Sequence, residues 1–385
     1  MANIVILGGG FAAVSAAETL ASAVGEEHAI ILISKNSDLT FFPAIVPMVF
    51  GDFAPEDLRF DLRPKLAERN IHFIQGEVRA INTHARTVNV GRAGVDAVIN
   101  FDYLIIAMGR RLAMVEVPGL SEHAHDLLSI PGALKFKEAI AAFESGSIVL
   151  GLCPNAALPV PVCESALALA KRFESEMKHG TVAVNVVFPT TLERAFSGST
   201  LFRDIENEFD RKGIRLVSDF AVSHVSERQI FSALGSSLHY DLLMLIPPMA
   251  SQTAFRSTGL VTGKSESLKV NDLMQVGGAD GVYAAGDIVS IPGPRFGYMA
   301  IRQAKVAAAN IIAELSGEDP HIEYVHKIEW AIAEQYTDPV FFHYGFWDET
   351  LPDLDGNALF GMVGKMRDRY GPVKPPEGDN YSAAA

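Results

Sequence analysis

The chain has 385 residues, is 49% apolar and 20% charged, and carries a formal charge of −14. That describes a globular protein long enough for two domains and a tail, and the acidic balance argues against nucleic acid as a partner. Two cysteines are too few for a disulfide scaffold or a tetrahedral metal centre, so a reducing compartment, a cytoplasmic location and no metal are expected. The densest apolar run, "FFPAIVPMVF", is twice interrupted by proline and falls short of the ~20 residues that span a bilayer. The first strand begins at Asn3, which leaves no room for a secretory signal.

"NIVIL" reads as a strand buried on both faces. Gly8-Gly9-Gly10 breaks it, and an alanine-rich helix follows with Gly8, Gly10 and Ala13 in G-x-G-x-x-A spacing. Gly8 permits a tight turn, Gly10 lets backbone approach a pyrophosphate, and Ala13 keeps the helix close to the sheet. Phe11 and Ala12 open that helix and belong to the same nucleotide site. The next strand, "AIILIS", ends in Ser34, where an acidic residue usually grips a ribose. Serine can still bond a ribose hydroxyl, and Lys35 can reach phosphate or adenine. "FDYLIIAMGRR" is a further strand, ending at Ala107, Met108, Gly109 and Arg110.

A strand–loop–helix follows at "SIVLGLCPNAALPVPVCESALALA", with the strand over 147–152 and the helix from about Glu164. Its loop reads G-L-C-P-N from Gly151 to Asn155. Pro154 removes a backbone donor and the bulky side chains block close approach, so it is a poor cradle for a pyrophosphate. Further on, "GVYAAGDIVSI" runs a strand into Gly286-Asp287, and "GYMAIRQAKVAAANIIAEL" is a helix opening at Gly297 and Tyr298.

In order along the chain, "GGGFAAVSAAETL", "ILISKNSDLTFFPAIVPMVFGDFAPEDLRFDLRP", "HYDLLMLIPPM" and "GYMAIRQAKVAAANI" resemble the family of sulfide:quinone oxidoreductases and flavocytochrome c sulfide dehydrogenase flavoproteins, over most of residues 1–316. The resemblance implies an α/β fold of two Rossmann-like dinucleotide-binding domains, the second inserted in the first. The FAD domain would be 1–110 with 241–316, the inserted NAD-like domain, without NAD, 111–240, and the extension 317–385. It implies non-covalent FAD. Asp287 beside Gly286 would bind the ribityl chain, and the backbone at Val78 the adenine. Pro43 would line the isoalloxazine, and the helix start at Gly297 would stabilise the anionic reduced flavin. Electrons would pass from a small reductant through FAD to a quinone or other acceptor.

The family's redox cysteines are missing. Leu158 stands at one such position, and neither the neighbourhood of Pro131 nor "HKIEWAIAEQYTDP" holds a cysteine. Cys153 and Cys163 could replace them as a dithiol, Cys163 being activated at a helix start; the alternative is two buried small hydrophobes. Glu164 is either a proton carrier for quinone reduction or a first-turn acid favoured by the helix dipole. Two other functions stay open: a type II NADH:quinone-like dehydrogenase, and a flavin-holding sensor.

In the tail, "VFFHYGFWDE" is strand-like. "NALFGMVGKMRDRYG" sets Leu359, Phe360, Val363, Met366 and Tyr370 on one helical face near Lys365, Arg367 and Arg369. Such a helix over 357–372 either lies peripherally at the inner face of a membrane, or packs on the body or on another subunit of a homo-oligomer.

Overall fold

The computed structural model describes residues 1–326, apart from 93, 198–200, 256–257, 259 and 263–266, together with residues 358–370. The chain opens with β1 (Asn3–Leu7), whose last four side chains are fully buried. Then come α1 (Phe11–Val24), β2 (Ala29–Ser34), β3 (Ile71–Gln75) and β4 (Tyr103–Ile106). The middle of the chain forms β5 (Gly146–Leu152), α2 (Pro159–Arg172), β6 (Val182–Val187), β7 (Arg215–Val217) and β8 (Leu242–Ile246). It closes with β9 (Val282–Ala284), α3 (Gly297–Leu315) and α4 (Ala358–Tyr370).

Two parallel sheets result. The first has the order β9-β4-β1-β2-β3. The chain winds outward from β1 to β3, then restarts on the other side of β1 with β4. The crevice at the carboxyl ends of β1 and β4 is therefore a topological switch point, where open α/β sheets bind ligands. The second sheet has the order β7-β6-β5-β8. The chain crosses between the sheets on two short antiparallel strands, Arg111–Leu112 against Met249–Ala250. Arg111 Nε donates to the Ser251 carbonyl beside this crossing at 3.0 Å.

The α/β class and the two Rossmann-like sheets match the sequence reading. One boundary moves. The strand in "HYDLLMLIPPM", assigned above to the FAD domain, is β8, and it pairs with β5 in the second sheet. The cut at 240/241 thus falls one strand early. A fully apolar strand is buried on both faces in either sheet, so periodicity cannot say which partner it takes.

The helix expected from Glu164 begins earlier, at Pro159. Proline is suited to the first helical position, where its fixed φ fits and its missing N–H has no partner to lose. Cys163 and Glu164 therefore lie in the second turn rather than ahead of the helix.

The segment "VFFHYGFWDE" lies outside the described residues. The helix expected over 357–372 is α4. It packs on the 62–68 helix and the 59–61 strand. Val363 and Met366 are buried there, Arg367 pairs with Asp57, and Arg369 pairs with Glu18, a buried carboxylate of α1. This part of the apolar stripe faces the protein, and two of its basic neighbours serve ion pairs with the body. Met366→Ala is expected to cost about 2 kcal/mol, measured by denaturant unfolding. No helix among the described residues is long and apolar enough to cross a membrane.

Candidate functional site

A cavity of about 400 Å³ lies at the switch point between the two sheets. One side is built by the first sheet's loops. Gly8 ends β1 at φ +122°, and a Cβ there would sit 2.2 Å from the Ala107 carbonyl oxygen at the end of β4. Only glycine allows the two strand ends to lie so close. Gly10 differs: its φ is −87° and a Cβ would meet nothing within 4 Å. Its open side gives onto the cavity, which it lines with Phe11 and Ala12.

The starts of two helices meet here. Gly286, at φ +84°, places its Cβ direction 3.3 Å from Ala12 of α1 and 3.7 Å from Ala300 of α3. Gly10 caps α1 and Phe296 caps α3, and neither supplies a side-chain cap. No cap side chain stands between either helix start and a ligand, and the positive dipole ends of both helices lie at this corner. This is the chemistry of an anion site.

Charged groups gather at the same corner. Burial raises the Asp287 carboxyl above its ordinary range, while the guanidiniums of Arg295 and Arg110 pull it back down. Burial lowers the Arg295 pKa, opposed by Asp287. Arg295 Nε is buried without a hydrogen-bond partner among the described residues. A buried guanidinium N–H left unmatched by protein is a donor shaped for something else.

The opposite wall comes from the chain between the crossing strands. Leu112, Leu128, Leu158, Pro159, Val160 and Met249 make it apolar, and Glu164, 6% exposed, adds a carboxylate.

Of the residues expected to hold cofactor, Gly10, Phe11, Ala12, Pro43 and Ala107 line this cavity, and so do Gly109, Arg110, Gly286, Asp287 and Gly297. Gly8 and Ala13 do not line it; Ala13 is fully buried within α1. Ser34 is buried beside the glycine turn, where a Cβ on Gly9 would sit 2.5 Å from its hydroxyl oxygen. Lys35 is turned to an exposed ion pair with Glu77 at 3.6 Å and does not line the cavity. Val78, in the 77–82 strand, and Tyr298, stacked on Phe296, do not line it either.

The cysteines are a correction. Both are free and fully buried, and neither lines the cavity. They belong to different apolar clusters. Burial pushes the Cys153 thiol up to about 12 and the Cys163 thiol well above its ordinary value. Position within α2 gives Cys163 no helix-start activation, and desolvation suppresses the thiolate that redox chemistry needs. Both side chains pack as small apolar groups in the core. The double variant Cys153→Ala/Cys163→Ala is expected to lose about 1 kcal/mol or more per site, while flavin reduction by the physiological donor class, followed by stopped-flow absorbance, is unchanged.

The second loop also has a structural reading. A Cβ on Gly151 would lie 2.3 Å from Val187 Cγ2 and 2.5 Å from the Val187 carbonyl oxygen. That glycine serves strand packing between β5 and β6. The turn continues through Asn155 at φ +64°, and the Ala157 carbonyl accepts a hydrogen bond from Arg295 N at 2.9 Å. The loop is tied to the first sheet's site by this bond.

Sequence reasoning missed Arg295 and the apolar wall. Arg295 carries no motif, and the wall residues are scattered over some 140 positions. The missing-cysteine position, Leu158, was the one available pointer.

Comparison with known proteins fits this geometry. Residues 2–142 match the family described as pyridine nucleotide-disulphide oxidoreductase. The sulfide:quinone oxidoreductase of Aquifex aeolicus superposes with a TM-score of 0.80 at 21% identity, over 98% of this chain and 93% of that one. The chain has the fold of the two-dinucleotide-domain FAD oxidoreductases. The likeness read from the sequence therefore stands, as do the oxidoreductase class and FAD as cofactor. NDH2 from Plasmodium falciparum, solved in complex with NADH, shares the fold with a TM-score of 0.69 at 15% identity, over 96% of this chain and 99% of that one. Among curated proteins, the oxidoreductase ptaL of Pestalotiopsis fici is 25% identical over 83% of this chain and 85% of its own length. The demethylphylloquinone reductase NdbB of Synechocystis is 23% identical over 82% and 80%.

The residues present fit FAD. The open face of Gly10, the two uncapped helix starts and the unmatched Arg295 Nε are what a pyrophosphate and an isoalloxazine edge call for.

Proposed function

We propose that the chain is an FAD-dependent oxidoreductase that takes two electrons from a small non-nicotinamide donor and passes them to a quinone. Bound FAD supplies the two-electron chemistry. In this reading Gly10 and the first turn of α1 hold the pyrophosphate, and Asp287 holds the ribityl chain. The start of α3 favours negative charge on the ring. Phe42, Ile45 and Val46 join Leu128 and Met249 in an apolar lining suited to a quinone head. Glu164 is the carboxylate on that wall and carries a proton to the acceptor.

The observation that carries the reading is the second wall. It is the beginning of α2, packed with Leu158, Pro159 and Val160, where a nicotinamide-binding protein would offer a glycine turn. Gly151, the one glycine in that loop, faces Val187.

A second reading, oxidation of NADH, is favoured by relatives such as the type II NADH:quinone oxidoreductase NdhA of Mycobacterium tuberculosis, 29% identical over 148 residues. Anaerobic stopped-flow mixing separates the two. Bleaching of the flavin band by sulfide or a small thiol, with recovery on adding a short-chain quinone, supports the first. Fast bleaching by NADH alone supports the second. Bleaching by none of the three leaves the flavin as a bound group in a sensor or binding protein.

A further inference from the structure

The Gly286 turn is tied to a later segment by a run of side-chain hydrogen bonds that cofactor binding does not itself require. Its N–H donates to Gln303 Oε1 at 2.7 Å in buried surroundings. Gln303 is 3% exposed, on the inner side of α3. It also bonds the hydroxyl of Tyr324. That hydroxyl lies 3.4 Å from Nδ1 of His326, and the imidazole bonds the backbone carbonyl of Pro292. Gly286, Asp287, Arg295, Gln303 and His326 line one small cavity directly behind the main one.

Gln303 Oε1 accepts from Gly286, so its NH₂ donates to the Tyr324 oxygen. With His326 neutral and protonated on Nε2, the Tyr324 O–H donates to Nδ1 and Nε2–H serves the Pro292 carbonyl. In that tautomer every donor of the run has an acceptor within it. Burial, then the guanidiniums of Arg295 and Arg302, hold His326 below its ordinary pKa and favour that form.

We propose that Gln303 is a positioning residue which, through Tyr324 and the surface residue His326, holds the Gly286-Asp287 turn in its FAD-binding geometry and makes that geometry sensitive to protonation of His326. The inference rests on the FAD reading above. The sign follows from the depressed pKa. The linked stabilisation is present above the ordinary imidazole value of about 6.5 and is lost as pH falls through the folded value. An imidazolium carries a proton on Nδ1, so the contact reverses: Nδ1–H donates to the Tyr324 oxygen, which already accepts from Gln303, and the Tyr324 O–H loses its acceptor in the run.

The test uses the full chain and measures FAD dissociation by flavin fluorescence, together with the position of the flavin absorption band. Gln303→Leu is expected to weaken FAD binding about tenfold and to shift the band. Gln303→Glu keeps an acceptor for Gly286 and is expected to recover part of the affinity. Wild-type affinity is expected to fall between pH 7 and pH 5, and His326→Gln, which cannot titrate, is expected to flatten that fall. If Gln303→Leu does not fold, Tyr324→Phe decides, since it leaves the Gly286 bond intact but cannot reach His326; loss of the pH slope supports the proposal, and an unaltered slope overturns it. A Gln303→Leu protein that holds FAD with wild-type affinity and band, or a His326→Gln protein with the wild-type slope, also overturns it. A wild-type chain that binds no FAD overturns the cofactor reading and this proposal together.

Discussion

A Gly10→Val chain is expected to fold and to purify colourless. The reason is the contrast between two glycines of one turn. At Gly8 the backbone lies in the left-handed region and any Cβ strikes the Ala107 carbonyl, so Gly8→Val is expected to damage the fold itself by about 2–5 kcal/mol, through strain and overpacking together. At Gly10 the backbone is ordinary and the space ahead is open. A Cβ there meets nothing within 4 Å, and the methyls of a valine are expected to stand where a pyrophosphate must approach the first turn of α1. Circular dichroism separates the two variants, and the flavin absorbance of the purified protein reads the effect. A yellow Gly10→Val protein with wild-type affinity would remove the first glycine turn from the cofactor site.

Glu164→Gln is expected to slow quinone-dependent reoxidation of the reduced flavin by about 10²–10⁴ while leaving flavin reduction by the donor near wild type. Glutamine keeps the size of the side chain and its hydrogen bonding but cannot deliver a proton. Glu164 is buried on α2 and lines the acceptor wall, so a purely structural role would instead appear as lower thermal stability with both half-reactions preserved. The two half-reactions are measured separately by anaerobic stopped-flow absorbance. Equal slowing of both would place Glu164 in the scaffold.

What was readable in the sequence was local. The G-x-G-x-x-A turn puts its chemistry within a few residues of the strand that positions it, so spacing pointed to it, and the Gly286-Asp287 corner, equally local, was pointed to by its resemblance to a known family. The departure at Gly151–Asn155 was local too, although its structural cause, contact with Val187, belongs to a neighbouring strand. The misreadings came where long-range partners decide. The dithiol failed because α2 starts at Pro159, a residue that looks like a breaker and acts as a first helical position, and this carries Cys163 into the core. Lys35, read as a reach toward phosphate or adenine, lies in space beside Glu77, a neighbour that the sequence does not show. Arg295 had no motif at all. Its meaning comes from Asp287 and from a cavity whose other side is built by distant residues.

The crossing of the chain between the two sheets has a mechanical consequence. Leaving and returning strands run side by side, Arg111 against Ala250 and Leu112 against Met249. Everything on the apolar wall, from Leu112 through Glu164 to Met249, is carried by the chain between them. A ribbon of two short strands resists shear along its hydrogen bonds and yields readily to twist and bending across them. The ribbon therefore bounds the gap between the two walls at one edge, and the Arg295–Ala157 hydrogen bond ties the halves at another point, so the spacing of the walls is set by contacts that lie outside either sheet.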